Sequence, residues 1–188
     1  MNGSPAAVPG SGLDVCRHAG GPGTFDESAR RLSHEELAVA RLLANEGHNV
    51  RSQAERRGVR TGDLVVCGTE IEVKSFLPLQ GPPLQSRAKP ATPESVANKL
   101  LRASGQGSVA VIWAKGSGLS AAGARAGFGL FSAMAARQGA TGISAVRVIG
   151  DSYDLSFRAQ PRVLAGSPRS PRHAGPVPAS GRSPKMSA

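Results

Sequence analysis

Three charged residues in the middle of the chain have the types and spacing needed for metal-assisted hydrolysis. Glu72 and Lys74 alternate with apolar residues in the run Ile71-Glu72-Val73-Lys74, and Asp63 precedes them. Because alternate side chains of a strand point to opposite faces, Glu72 and Lys74 share one face. A carboxylate can hold a hard cation there, and an amine can stabilise a negatively charged substrate.

A predicted β-hairpin brings Asp63 to the same face. Two strand-like segments, 63–67 and 71–76, flank a turn that we place at Gly68 and Thr69. That turn pairs Asp63 directly with Lys74. Opposed side chains have Cβ atoms about 5 Å apart, so we expect the three charged residues to surround one small site.

A helix before the hairpin supplies a fourth candidate, Glu36. Ser33 is suited to cap this helix and Gly47 to end it, which predicts a helix over about 33–46. Its core-facing stripe consists of Leu32, Ala40 and Leu43. Glu36 falls on that stripe, whereas the alternative, Glu35, lies about 100° away around the helix.

Gathered carboxylates repel one another and raise one another's pKa unless a cation lies among them. Mg²⁺ is the natural cation because it prefers oxygen ligands, usually one or two carboxylates with water and phosphate. We therefore predict Asp63 and Glu72 as metal ligands. Lys74 would orient the nucleophile or stabilise the pentacovalent phosphorus.

The order Glu36, Asp63, then Glu72-Val73-Lys74 resembles the PD-(D/E)XK nuclease superfamily, in which a helical Glu precedes a strand Asp and an E-x-K motif. The resemblance spans about residues 33–113. Within it, the segments EELAVARLLANEGHNV, GDLVVCGTEIEVKS and NKLLRASGQGSVAVIW look like C-terminal nuclease domains of contact-dependent inhibition (CdiA-type) and related polymorphic toxins. Many of those domains cleave tRNA.

The resemblance implies a restriction-endonuclease-like α/β fold and a divalent-metal-dependent endonuclease with Glu36, Asp63, Glu72 and Lys74 as catalytic residues. It further implies RNA, in particular tRNA, as the substrate, and an immunity protein as the partner of a toxic nuclease. The family likeness adds two substrate-binding candidates: Lys99 for a phosphate contact, and Gln106 as the polar residue that ends the second helix. One departure is Gly62, which stands where the superfamily motif has proline.

Other functions stay open at this stage. A DNA endonuclease of the same fold fits the same residues. A non-catalytic nucleic-acid-binding protein would instead use Arg56, Arg57, Arg60 and the basic C-terminal tail. In a purely structural reading, Asp63 caps the hairpin, and Glu72 with Lys74 forms an exposed cross-strand pair.

Composition and the remaining pattern predict one domain over 24–160. Helices are predicted at about 93–104 and 119–138 and strands at about 48–53, 108–114, 143–149 and 153–157, which implies a mixed sheet flanked by helices. We expect a disordered leader over 1–23 and a disordered basic tail over 161–188.

The net charge is +10, and six Lys/Arg lie from Arg158 onward, so the tail accounts for much of the attraction to nucleic acid. No run approaches the roughly 18 apolar residues of a membrane span, so we expect a cytoplasmic protein without membrane insertion, in its own cell or in a target cell.

Overall fold

A single mixed sheet organises the chain. The computed structural model describes residues 21–55, 58–59, 61–79, 89–138 and 142–159. Its elements are β1 (Phe25–Asp26), α1 (His34–Asn45), β2 (Val50–Ser52), β3 (Leu64–Val66), β4 (Thr69–Ser75), α2 (Pro93–Ala103), β5 (Val109–Trp113), α3 (Ala121–Gln138), β6 (Ala145–Ile149) and β7 (Asp154–Arg158). The strands are neighbours in chain order; β1 with β2, β4 with β5 and β5 with β6 run parallel, and the other pairs antiparallel. The predicted α/β class, with a mixed sheet and flanking helices, is confirmed.

Helix α1 begins and ends where its capping residues require. The Ser33 hydroxyl accepts from the Glu36 backbone N–H (3.3 Å), and Glu36 Oε2 accepts from the Ser33 N–H (2.8 Å), which forms a capping box. Gly47 follows the helix with φ 92°. The apolar stripe of α1 is buried, and the helix predicted over about 33–46 is confirmed within a residue or two.

The other two helices pack against each other. Thr92 caps α2 through a capping box with Ser95, and Pro93 occupies the first turn, as predicted. In α3, a Cβ at Gly127 would lie 2.6 Å from the Val96 Cβ. The glycine therefore allows the two helix backbones to approach closely.

Two apolar cores lie on opposite faces of the sheet. Helix α1 covers one face, packing on strand residues such as Ile71 and Val73, and α2 with α3 covers the other, packing on Ala110 and Ile112. In the parallel β4–β5 register, Glu72 pairs with Ala110 and Lys74 pairs with Ile112. Glu72 and Lys74 therefore face the side of α2 and α3. The predicted alternation along β4 is confirmed.

The hairpin turn differs from the predicted one. Cys67 (φ 50°) and Gly68 (φ 84°) form the turn, Val66 pairs with Thr69 and Leu64 pairs with Ile71. The predicted turn at Gly68–Thr69 was wrong because a tight hairpin turn of this kind needs positive φ at both central residues, which a β-branched threonine resists.

The change of turn shifts the register by two residues, so the predicted pairing of Asp63 with Lys74 is also wrong. Instead, the Asp63 N–H donates to the Ile71 carbonyl (2.9 Å), which puts Asp63 level with Glu72. Side chains alternate with a period of two, and a two-residue shift therefore leaves Asp63 on the predicted face.

A largely buried arginine in β6 connects the end of α1 to β7. Arg147 of β6 forms two hydrogen bonds with Glu46 at the end of α1 (2.5 and 2.6 Å) and two with Asp154 of β7 (2.6 and 2.9 Å). Its side chain is only 12% exposed, so the two carboxylates balance a charge that is largely removed from water.

Strand β1 was not predicted; it pairs with β2 over only two residues. Residues 1–20 of the leader predicted over 1–23 and the whole tail predicted over 161–188 lie outside the described residues, as do residues 80–88. Within the described ranges, no helix combines the length and apolarity needed to span a membrane.

Candidate active site

Asp63 lies just before β3, at one end of the sheet. Its Oδ2 accepts from the Val73 N–H (2.8 Å) and its Oδ1 from the Arg30 guanidinium (2.8 Å), and the side chain is 20% exposed. Gly62 precedes it so closely packed that a Cβ would lie 2.9 Å from the Ile71 carbonyl oxygen. The ring of a proline at position 62 would therefore collide with β4.

Glu72 is almost completely buried in β4, with 1% of its surface exposed. Its Oε1 is bound by the Lys74 ammonium, whereas its Oε2 is buried and has no hydrogen-bond partner among the described residues. A buried carboxylate oxygen without a partner is costly, and a bound cation would relieve that cost. Lys74 itself is 26% exposed and can reach solvent or a substrate.

Asp63 and Glu72 are in an environment that disfavours a negative charge on both carboxylates at once. Burial, together with the negative charges of Glu72 and Glu36, raises the pKa of Asp63 to about 7, although the hydrogen bond from the Val73 N–H opposes that shift. Burial also raises the pKa of Glu72, although the hydrogen bond and charge of Lys74 oppose that shift. Such strained carboxylates are typical of catalytic and metal-binding sites.

Arg30 is a member of this site that the sequence pattern did not reveal. Its guanidinium donates to Glu36 Oε1 (3.1 Å) and Oε2 (2.9 Å), to Asp63 Oδ1, and to the backbone carbonyls of Gln53 (3.1 Å) and Arg31 (3.3 Å). All five N–H groups of the arginine are therefore used. No spacing rule connects residues 6 and 33 positions apart, and the contact exists only after the chain folds.

Glu36 lies in the first turn of α1 and reaches Asp63 through Arg30. Burial would raise the pKa of Glu36, but hydrogen bonds from Arg30 and the Ser33 N–H hold it below its ordinary value. Both carboxylate oxygens are already engaged in capping the helix and anchoring the arginine. The structure therefore puts Glu36 beside the acidic pair, and its catalytic role stays a prediction.

The two predicted substrate contacts lie on and after α2. Burial, followed by the positive charges of Lys74 and Arg102, lowers the pKa of Lys99, whose ammonium also lies 4.8 Å from the centre of the Phe76 ring. Lys99 thus stands near Lys74. The carbonyl oxygen of Gln106 lies 3.1 Å from the position of a Cβ on Gly62, so the Gln106 backbone adjoins the segment that carries Asp63.

The carboxylate oxygens of Asp63 and Glu72 are the candidate ligands for a divalent cation. In the described ranges, no group of three or more His, Cys, Asp or Glu residues is arranged to hold a metal ion. Two carboxylates suffice for Mg²⁺, which keeps several waters. Asp63 and Glu72 provide hard oxygen donors, and the unpartnered Oε2 of Glu72 gives a cation a direct reason to bind. These residues fit a single Mg²⁺ or Mn²⁺.

No protein-family model matches the sequence. A search of curated proteins likewise finds no match. Among solved structures, the chain is similar to one in a CdiA-CT/CdiI toxin and immunity complex from Burkholderia pseudomallei, with 20% identity and a TM-score of 0.43 over 72% of this chain and 99% of that chain. A similarity at that level does not establish a shared function.

Proposed function

We propose that this protein is a divalent-metal-dependent nuclease that hydrolyses phosphodiester bonds. The observation that carries the proposal is the buried Glu72, which has an unpartnered carboxylate oxygen and the Lys74 ammonium beside it, together with the half-buried Asp63. An exposed cross-strand pair would have its oxygens satisfied by water. Glu72 is instead buried with one oxygen unsatisfied, and it lies next to cationic side chains.

Each residue has a defined task in the proposed reaction. Asp63 and Glu72 hold the cation, and the Val73 N–H fixes the orientation of Asp63. When bound, the cation lowers the pKa of water and offsets negative charge on the phosphate. Lys74, whose ammonium binds Glu72, would donate to the phosphate as charge accumulates on its oxygens.

RNA, with tRNA preferred, is the proposed substrate, and a toxin-like role with an immunity protein as partner is proposed with it. The proposed substrate and the proposed role both rest on the sequence resemblance around Asp63 and the E-x-K motif. The cationic group formed by Lys74, Lys99 and Arg102 supports a phosphate-rich substrate, because the charge of each lysine or arginine favours a polyanion. A DNA substrate of the same chemistry is the second candidate.

Cleavage assays with matched variants test the proposal. Purified protein is incubated with total tRNA and with plasmid DNA, with Mg²⁺ or with chelator, alongside Glu72→Gln and Lys74→Ala. Arg125→Ala removes a charge from the exposed surface of α3 and is the control. We expect Mg²⁺-dependent cleavage that both site variants lose by at least about a hundredfold and that the control retains. The polymer that is cut identifies the substrate.

A non-catalytic binding protein would give a different pattern. Binding would persist in chelator and in Glu72→Gln, and no polymer would be cut in Mg²⁺. That result would refute the nuclease proposal. The toxin-like role has a separate test, growth after controlled expression: equal growth with wild type and Lys74→Ala would refute it even if cleavage is observed in vitro.

A further inference from the structure

The residue that the sequence did not reveal, Arg30, suggests how the proposed cation site is controlled. We propose that Arg30 is an internal counter-ion that competes with the divalent cation for Asp63. This inference rests on the proposed metal site and adds a residue that opposes cation binding. In the absence of the cation, the positive charge of Arg30 would offset the repulsion between Asp63 and Glu72. Arg30 would also raise the cation concentration needed to fill the site.

The contacts of Arg30 show that it is anchored independently of Asp63. Four of its five donated hydrogen bonds go to Glu36 and to the backbone carbonyls of Gln53 and Arg31. Only one reaches Asp63, at Oδ1. The guanidinium therefore stays in place when that single bond is released, and Asp63 is the group that changes partner.

The oxygens of the acidic pair show what a cation would meet. Asp63 Oδ2 is occupied by the Val73 N–H and Oδ1 by Arg30, while the buried Oε2 of Glu72 has no partner in the described part of the chain. A cation that binds Glu72 Oε2 and takes Asp63 as its second carboxylate must share an oxygen that already accepts a hydrogen bond. The fixed positive charge of Arg30 then lies close to the cation and opposes it.

The charges of the site agree with this arrangement. Glu36, Asp63 and Glu72 carry three negative charges when ionised, and Arg30 with Lys74 carries two positive charges. One divalent cation therefore changes the net charge from −1 to +1, which suits an anionic phosphate. Without Arg30 the same site would be −2, so its repulsion would be stronger when empty and its attraction for a cation greater.

Calorimetric titration with Mn²⁺ tests the proposal without relying on activity. Wild type, Arg30→Met and Arg30→Gln are titrated at pH 8, where Asp63 is mostly ionised. Arg147→Met is the matched control, because Arg147 is also a buried arginine held by two carboxylates but lies in the β6–β7 network. Thermal unfolding with and without Mn²⁺ is recorded for each protein.

We expect Arg30→Met and Arg30→Gln to bind Mn²⁺ at least about tenfold more tightly than wild type. Both should unfold at a lower temperature in chelator and gain more from Mn²⁺ than wild type gains. Arg147→Met should also unfold at a lower temperature, with an unchanged Mn²⁺ affinity. The two Arg30 variants provide a second chance of a folded protein, since glutamine keeps some of the hydrogen bonds.

Equal or weaker Mn²⁺ binding by the Arg30 variants would overturn the proposal and would mean that Arg30 positions Asp63 for the cation. The cation site of the proposed function would survive that result, provided that Asp63→Asn abolishes binding. Absence of Mn²⁺ binding in every variant would overturn both the inference and the metal-dependent function.

Discussion

Asp63→Asn gives the sharpest test of the electrostatic strain at the site. The substitution keeps the size of the side chain and removes its negative charge. It also leaves one nitrogen facing either Arg30 or the Val73 N–H, where an oxygen now accepts. The hydrogen bond lost in this way costs stability at every pH. This cost therefore cancels when the pH dependence of the variant is compared with that of wild type.

The expected magnitude follows from the pKa of Asp63, which burial raises from 3.8 to about 7. The unfolded chain loses this proton near pH 4 and the folded protein only near pH 7, so the contribution to stability is complete below about pH 4 and is lost as the pH rises through 7. Each pH unit in that window is worth about 1.36 kcal/mol. Between pH 5 and 8, wild type should lose about 2.7 kcal/mol more than Asp63→Asn.

Urea unfolding in chelator, followed at pH 5, 6, 7 and 8 for both proteins, measures this difference directly. The two free energies of unfolding should converge or cross as the pH rises, because only wild type becomes less stable through Asp63. Parallel profiles, with a difference that stays constant within about 0.5 kcal/mol, would refute the reasoning that Asp63 is held in an unfavourable environment.

Two further predictions concern the scaffold. Arg147→Met should lower the free energy of unfolding by about 2 kcal/mol because it leaves the half-buried Glu46 and the exposed Asp154 unpaired, and urea unfolding checks this; an unchanged stability would show that the network is only a surface interaction. Gly127→Ala should lower the stability by about 1–3 kcal/mol because the added methyl group collides with α2, whereas Gly129→Ala in the same helix, where nothing lies within 4 Å, should raise it by about 0.5–1 kcal/mol. Thermal unfolding of the pair checks both signs, and equal shifts would contradict the close packing of α2 and α3.

Much of the local structure was readable from the sequence because the responsible interactions span only a few residues. Ser33 and Thr92 both cap helices through bonds to residues three positions away. The alternation along β4 put Glu72 and Lys74 on one face, as the structure confirms. The exact turn was missed because the preferences of Cys67 and Gly68 had to be weighed against those of Gly68 and Thr69, which a pattern of apolar residues does not distinguish.

The composition of the site was only partly foreseen. The sequence predicted that Asp63, Glu72 and Lys74 share one face, and the register bears this out because spacing along a hairpin is a local property; their catalytic roles stay predictions. It did not identify Arg30, whose carboxylate partners Glu36 and Asp63 lie 6 and 33 residues away. It also placed Glu36 on a core-facing stripe, whereas in the folded protein the same side chain caps its own helix and anchors the arginine.

The sequence by itself therefore determined the helices, the strands other than β1 and the face on which the acidic pair lies, since each depends on a period of two or 3.6 residues or on a nearby cap. The tertiary structure alone decided which side chains meet at the end of the sheet. The burial of Glu72, the unpartnered Oε2 and the insertion of Arg30 arise only when α1, the loop before it and the hairpin converge. Burial and charge act through space rather than along the chain, and that is why they set the chemistry of this site only after folding.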